Sequence, residues 1–244
     1  MKVKIIDEFP VFVFGDIHGD YETFSKIKEL IKKEKGIFVF LGDYADRGDK
    51  GFEVIMDLIE LQKEENIILL KGNHEDYDPS GNPTFYPCDL IEEVEVKYGS
   101  WNSFFKEIFK PFIDSLYLAV YIPGFALLVH GGICSKIRSL RDIEKYEECV
   151  LWSDPFEGYG EYPNPRGRGV LFGKDITRRV LNNLKVKYLI RSHEPVKAAL
   201  GPVFEHDRKV ITIQSTRAYE RYGYRMKPHY LIIEKDKLLH RYLP

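Results

Sequence analysis

Cysteine is scarce in this 244-residue sequence: Cys88, Cys134 and Cys149 are odd in number, widely spaced and without a CxxC pair. That spacing argues against a disulfide framework or a thiolate metal site, and the three read as buried or incidental thiols. Excess charge of one sign is missing too, with 36 Lys and Arg against 38 Asp and Glu and a net charge of -2. No surplus of cations is left to neutralise a phosphate backbone, so nucleic acid is not an expected partner. Long hydrophobic runs are also lacking. The longest, Leu116 to Val129, is cut by Pro123-Gly124 and is too short to span a bilayer as a helix. It reads as a two-strand hairpin in a core. The opening MKVKIIDEFP lacks the basic flank and apolar stretch of a signal peptide. No membrane partner is expected, and the chain is read as cytoplasmic. With no internal repeat, low-complexity tract or dividing linker, it is expected to form one domain over residues 1–244.

What is present is an ordinary globular balance, 44% hydrophobic and 30% charged residues. PVFVFGD (Pro10–Asp16), GIFVFLGD (Gly36–Asp43) and NIILLKGN (Asn66–Asn73) are apolar runs that end in glycine and polar residues, as buried strands feeding loops do. After Asp20, a plausible N-cap, Tyr21, Phe24, Ile27, Leu30 and Ile31 recur at helical spacing through Glu34, and a second helix is expected from about Gly51 to Lys63. Strand, loop and helix alternating in this way imply parallel pairing, with the polar loops gathered at the carboxyl ends of the strands. Further on, Asp78–Pro87 reads as an irregular excursion, Asp89–Phe109 as a helix, and Glu157–Arg168 as a loop. Val186–Arg191, Val210–Gln214, Tyr230–Glu234 and Lys237–Leu243 read as strands, with EKDK (Glu234–Lys237) as a hairpin turn.

Five segments at the ends of these runs hold the chemistry: GDIHG (15–19), GDYADRG (42–48), GNHE (72–75), HGG (130–132) and RSHE (191–194). They supply Asp16, His18, Asp43, Asn73, His130 and His193, oxygen and nitrogen donors enough for two adjacent divalent metals. Asp43, at the mouth of the second strand, is the natural bridging carboxylate. Asn73 adds a neutral carbonyl, which leaves the site net positive for an anion. Next to it, His74 should diverge toward a leaving group and serve as general acid, its tautomer held by Asp46. Arg47 and an arginine of RGRG, Arg166 or Arg168, would grip phosphate oxygens through paired N–H bonds.

Each motif alone has a plain structural alternative. GDIHG could be a strand-to-helix turn, GNHE a helix start capped by Asn73, HGG a histidine bonded to a backbone carbonyl, and RSHE a surface ion-pair cluster. Their joint order outweighs those alternatives. His206, His229 and His240 have no such support and read as structural, while the stretch Arg217–Lys227 reads as a lid or solvated loop.

The ordered set, together with WSDP (152–155) and PRGRGVLFG (165–173), resembles the phosphoprotein phosphatases, metal-dependent serine/threonine protein phosphatases of the calcineurin-like superfamily. The resemblance runs from about Val11 to Thr216 and implies an α/β fold, a metallophosphoesterase-type β-sandwich flanked by helices in four α/β/β/α layers. It implies two divalent metal ions, manganese foremost with iron, zinc or cobalt also fitting, on Asp16, His18, Asp43, Asn73, His130 and His193. By the same resemblance His74 is the acid paired with Asp46, and Arg47 and Arg166 bind phosphate. Arg166 is selected over Arg168 because it stands seven residues before the glycine of FG. The implied reaction is hydrolysis of phosphoserine and phosphothreonine on proteins, with phosphotyrosine as a further substrate. From Gln214 to Arg225 the chain departs from the family pattern: Ser215 matches the start of the family's loop over the site, and Tyr219, Tyr222 and Tyr224 are weak matches to a family tyrosine. A nucleotide-cleaving phosphoesterase acting on diadenosine tetraphosphate is the rival; its usual GHT-like ending is replaced here by RSHE, WSDP and RGRG. An inert phosphoprotein-binding module is a second rival, opposed by the complete donor set.

Overall fold

The structure of the protein, a computed structural model, describes residues 2–235 and 237–244. Its strands are, in chain order, β1 (Val3–Ile5), β2 (Val11–Phe14), β3 (Ile37–Phe40), β4 (Ile67–Leu69), β5 (Ala119–Ile122), β6 (Ala126–Val129), β7 (Asp154–Pro155), β8 (Glu161–Pro163), β9 (Val170–Phe172), β10 (Tyr188–Arg191), β11 (Val203–Glu205), β12 (Val210–Thr212), β13 (His229–Glu234) and β14 (Lys237–Tyr242). One sheet runs β14-β13-β2-β3-β4 and a second β1-β5-β6-β10-β12-β11, while β7, β9 and β8 form a small third sheet. The pairs β2–β3 and β3–β4 are parallel, in the register Phe12↔Phe38 and Phe14↔Phe40 for the first.

Side-chain alternation turns these runs into layers. Phe12, Phe14, Phe38 and Phe40 face outward and pack with Phe24 and Ile27 of helix α1 (Tyr21–Lys33) and Val54 and Leu58 of helix α2 (Gly51–Leu61). Their odd-numbered neighbours Val11, Val13 and Val39 face inward and meet Leu128, Ile190 and Ile211 of the other sheet. On the far side, Leu127, Val129 and Leu189 pack against Ile176, Val180 and Leu184 of the helix Lys174–Leu184. Strands covered on both faces show continuous rather than alternating hydrophobicity, which is why they read as unbroken apolar runs. The result is helix, sheet, sheet, helix, as expected, with Val, Ile and Leu side chains filling the space between the sheets.

Local signals work where they were legible. Asp20 caps α1, its carboxylate accepting from Thr23 N at 3.1 Å. Gly42, at φ 104°, and Gly72 bring two strand-end loops together: a Cβ on Gly42 would sit 2.4 Å from Gly72 N, and one on Gly72 would sit 2.2 Å from Asp43 Oδ1.

Several expectations need correction. Cys134 and Cys149 are joined in a disulfide, with Cα atoms 5.8 Å apart, and only Cys88 is a free thiol. Folding lays the turn after β6 against the helix Glu147–Trp152, where Gly131 N donates to Val150 O at 2.7 Å, and no local spacing rule announces that contact. The helix expected over Asp89–Phe109 is broken: Leu90–Lys97 stops before Gly99, at φ 97°, and Ser100 caps a new start at Trp101 that continues through a π-helical turn to Ser115. Glu157–Arg168 is not all loop, because Glu161–Pro163 pairs with Val170–Phe172. Strands β1 and β11 and the helices Leu140–Lys145, Glu147–Trp152 and Lys174–Leu184 are present in addition to the expected elements. The EKDK turn includes Asp236, which lies outside the described residues; its flanks pair as expected, Glu234 against Lys237. No helix among the described residues is long and apolar enough to cross a membrane.

Candidate active site

The carboxyl ends of β2, β3 and β4 and of β6 and β10 meet at one edge of the sandwich, and all six predicted metal-binding side chains are buried there. The loops that carry them bend sharply. His18, Asp43, Asp46, Arg47 and His193 have φ of 49°, 57°, 67°, 68° and 69°, left-handed values unfavourable for residues with a Cβ.

On one side, His18 Nδ1 donates to Ala45 O at 3.0 Å, which leaves Nε2 with a lone pair. That lone pair faces Asp43 Oδ2 at 3.5 Å and Asp16 Oδ2 at 3.7 Å, and Asp16 Oδ2 has no hydrogen-bond partner. On the other side, His130 Nδ1 donates to Leu41 O at 2.9 Å. Its Nε2 then points a second lone pair at Asn73 Oδ1 and His193 Nδ1, both 3.0 Å away, and at Asp43 Oδ1, 3.3 Å away. Asp43 thus sends one oxygen into each half.

Burial, first of all, holds His18, His130 and His193 well below the ordinary imidazole range, so their rings are neutral. Burial likewise pushes the Asp16 carboxyl up to about 6 and raises Asp43. Lone pairs and carboxylate oxygens crowded together without protons between them repel one another unless a cation lies among them. Neutral imidazoles tied by Nδ1–H to backbone carbonyls are also the usual form of a metal-binding histidine. The donor set therefore fits divalent metal, with Asp16, His18 and Asp43 on one side and Asp43, Asn73, His130 and His193 on the other.

Two carboxylates organise this edge without facing outward. Glu75 takes Gly72 N at 2.8 Å and Asp43 N at 2.9 Å on Oε2, and Tyr44 N at 2.9 Å on Oε1. It pins the second and third loops together, a role that its place in GNHE only partly signals. Asp46 Oδ1 accepts from Asp89 N and Leu90 N at 2.6 and 2.9 Å, so its Oδ2 is held where it meets His74 Nδ1 at 2.6 Å. Burial alone would lower the His74 pKa, but the Asp43 charge and the Asp46 contact outweigh it and push it up to about 9.

His74 lines a cavity of about 580 Å³ with Arg47, Arg166, Arg168, Trp152, Phe85 and Tyr219 among its walls. Arg47 Nε is buried and unpartnered. Arg166 donates Nε to Asp154 Oδ2 at 2.7 Å, and Asp154 Oδ1 also accepts from the fully buried Arg191 at 2.9 Å. Asp154, to which sequence reasoning gave no unique role, is therefore what aims Arg166. Arg168 is committed elsewhere, its Nη1 donating to Asp76 Oδ2 and Thr84 Oγ1 at 2.8 and 2.7 Å. Tyr219 comes from a 3₁₀ turn, Ala218–Tyr222, and its hydroxyl lies 3.5 Å from His18 Nε2, so this one residue of the 217–227 stretch joins the cavity wall while 220–225 face solvent. His206 is bonded to Thr177 Oγ1 and Phe156 O, in keeping with a structural role. A larger cavity, about 1100 Å³, opens beside the amino ends of β3 and β4 and holds none of these side chains.

Buried carboxylates and imidazoles at strand ends lie beneath a cavity lined by arginines, a layout suited to an anionic ligand. The chain belongs to the calcineurin-like phosphoesterase family, which it matches over residues 9–197. It is 34% identical over 226 residues to serine/threonine-protein phosphatase 5 of Arabidopsis thaliana, an alignment covering 86% of this chain but 40% of that protein. The chain thus spans well under half the length of that relative. Among solved structures it resembles a serine/threonine phosphatase from Saccharomyces cerevisiae, described as similar to human phosphatase PP5, at a TM-score of 0.76 and 26% identity over 99% of this chain and 83% of the other. A cold-active protein-tyrosine phosphatase of a Shewanella species shares the fold at a TM-score of 0.64 and 16% identity, over 100% of this chain and 82% of the other.

Proposed function

We propose that this protein removes phosphate from phosphoserine and phosphothreonine in polypeptides, and that phosphotyrosine esters fall within its reach. The observation that carries the reading is the His74–Asp46 pair, 2.6 Å apart, opening on the same cavity as Arg47 and Arg166. Similarity to serine/threonine phosphatases over most of the chain supports the substrate class.

Two divalent ions, manganese foremost, would polarise the phosphate and lower the pKa of the attacking water when held by the six ligands. Arg47 and Arg166 offer N–H groups to the phosphate oxygens, and their charge offsets the charge that develops in the transition state. Asp154 keeps Arg166 turned toward the cavity. His74 carries its proton on the ring nitrogen opposite the Asp46 contact and delivers it to the departing alkoxide, which is otherwise a poor leaving group. Asp46 fixes that tautomer and steadies the imidazolium, while Phe85, with its ring 4.4 Å from the His74 ring, limits water on that side.

Parallel assays on phosphopeptides and dinucleoside polyphosphates test this. Release of phosphate from phosphoserine and phosphothreonine peptides is the expected result. Exclusive cleavage of the dinucleotide would overturn it, and absence of turnover with every divalent ion would favour an inert binding module.

A further inference from the structure

Arg168 lies two residues from Arg166 and lines the same cavity, yet its hydrogen bonds go to protein. Besides Asp76 and Thr84, it stacks on Trp152 at 5.0 Å and approaches Glu148 Oε2 at 3.3 Å. Asp76 and Thr84 are the two ends of a loop: Thr84 N donates to Asp76 O at 3.0 Å, and Thr84 Oγ1 to Asp76 Oδ2 at 2.7 Å. Between those ends the loop is built rather than slack. Asp78 Oδ1 accepts from Ser80 N and Asn82 N, and Trp101 Nε1 donates to Gly81 O at 2.9 Å. Just past the clamp, Phe85 turns inward against His74, while Tyr86 stands at the cavity rim with 92% of its surface exposed. A large aromatic ring exposed to water next to a clamped loop, beside a site for an anionic ester, starts from a backbone that has little further freedom to lose on binding and has apolar surface to cover.

We propose that Arg168 is a clamp rather than a phosphate ligand, and that by fixing the loop Asp76–Thr84 it positions Tyr86, two residues beyond, to select substrates. The favoured class is a phosphorylated polypeptide with an aromatic or apolar side chain beside the phosphorylated residue. This rests on the polypeptide reading above.

The test uses the whole protein loaded with manganese, and two readouts. The first is competitive inhibition by inorganic phosphate of a small aryl phosphate reaction. Arg166→Gln weakens it about tenfold or more, whereas Arg168→Gln shifts it less than about twofold, because Arg166 spends Nε alone on Asp154 while Arg168 spends Nε and Nη1 on Glu148, Asp76 and Thr84. An equal weakening in both variants overturns the clamp. The second is kcat/KM for a phosphopeptide with a flanking phenylalanine divided by that for the same peptide with a flanking serine. The wild type favours the first by about fivefold, the scale of one aromatic contact; Tyr86→Ala and Arg168→Gln both bring the ratio near one, through KM. A ratio near one in the wild type, or one that Tyr86→Ala leaves in place, overturns the selection while the phosphatase reading stands. Rejection of every peptide by the wild type overturns both readings of substrate, and the phosphate inhibition still decides the role of Arg168. Tyr86 is exposed, so its variant separates lost selection from lost folding.

Discussion

Oδ2 of Asp46 lies 2.6 Å from Nδ1 of His74, and the Oδ1 of the same carboxylate is fixed by two backbone amides, so the imidazole is held from behind and has one nitrogen free to act. His74→Asn should therefore slow turnover of an alkyl phosphate by about 100- to 10,000-fold, the usual scale of general acid catalysis. An aryl phosphate with an acidic phenol needs little protonation and should lose far less. Steady-state rates on the two esters check this, and equal losses would sink the acid role.

Metal removal should abolish activity, and added manganese should restore it. Metal analysis of the reloaded protein is expected to give two ions per chain, with fewer retained by Asp43→Asn, since Asp43 sends an oxygen to each half of the site. Full activity after exhaustive chelation, with no metal detected, would refute the assignment.

Asp154 is shared by two arginines, one of them fully buried. Asp154→Ala would leave buried Arg191 with Glu194 as its remaining carboxylate partner and one guanidinium N–H unpaired, at a cost of about 1–3 kcal/mol in urea unfolding. Asp154→Asn keeps the acceptor and should cost less while still raising KM, because Arg166 loses its anchor. A loss under about 1 kcal/mol in the alanine variant would show that Arg191 does not depend on this carboxylate.

Thiol titration of the unfolded, unreduced protein should find one thiol, Cys88, rather than three. The bridge closes a loop of 15 residues in sequence separation, so Cys149→Ser should lower stability by about 3 kcal/mol on the chain-entropy estimate. Three reactive thiols would show that the bridge does not form.

Acid should weaken the fold through His229, whose pKa is lowered by burial from 6.5 to about 4, against the opposing pull of its bond to Lys227 O. Between those values the unfolded chain binds a proton that the folded chain does not, so this contribution is complete above pH 6.5 and is lost as pH falls toward 4. The slope approaches about 1.4 kcal/mol per pH unit for one proton. Unfolding measured at pH 7 and pH 5 should show a smaller difference in His229→Gln than in the wild type; identical differences would exclude His229 as a contributor.

The sequence announced the parallel strands and the residues at their ends because apolar runs closing on Gly-Asp or Gly-Asn are local signals. The tertiary partners were silent. Asp154 could not be seen to join Arg166 to Arg191 when 12 and 37 positions separate it from them. Neither could Arg168 be removed from the phosphate-binding pair, since its distinction from Arg166 lies in Asp76 and Thr84, over 80 residues away. The missed helix Lys174–Leu184 has low overall hydrophobicity, and what marks it is a one-sided stripe of Ile176, Val180, Leu181 and Leu184.

The left-handed backbone at His18, Asp43, Asp46, Arg47 and His193 sets this protein's durability against its chemistry. Each such residue forfeits about 1–2 kcal/mol that glycine would not. A selection for heat resistance alone would therefore drift toward glycine or asparagine at these five positions, and its winners would be sturdy proteins that no longer turn over substrate.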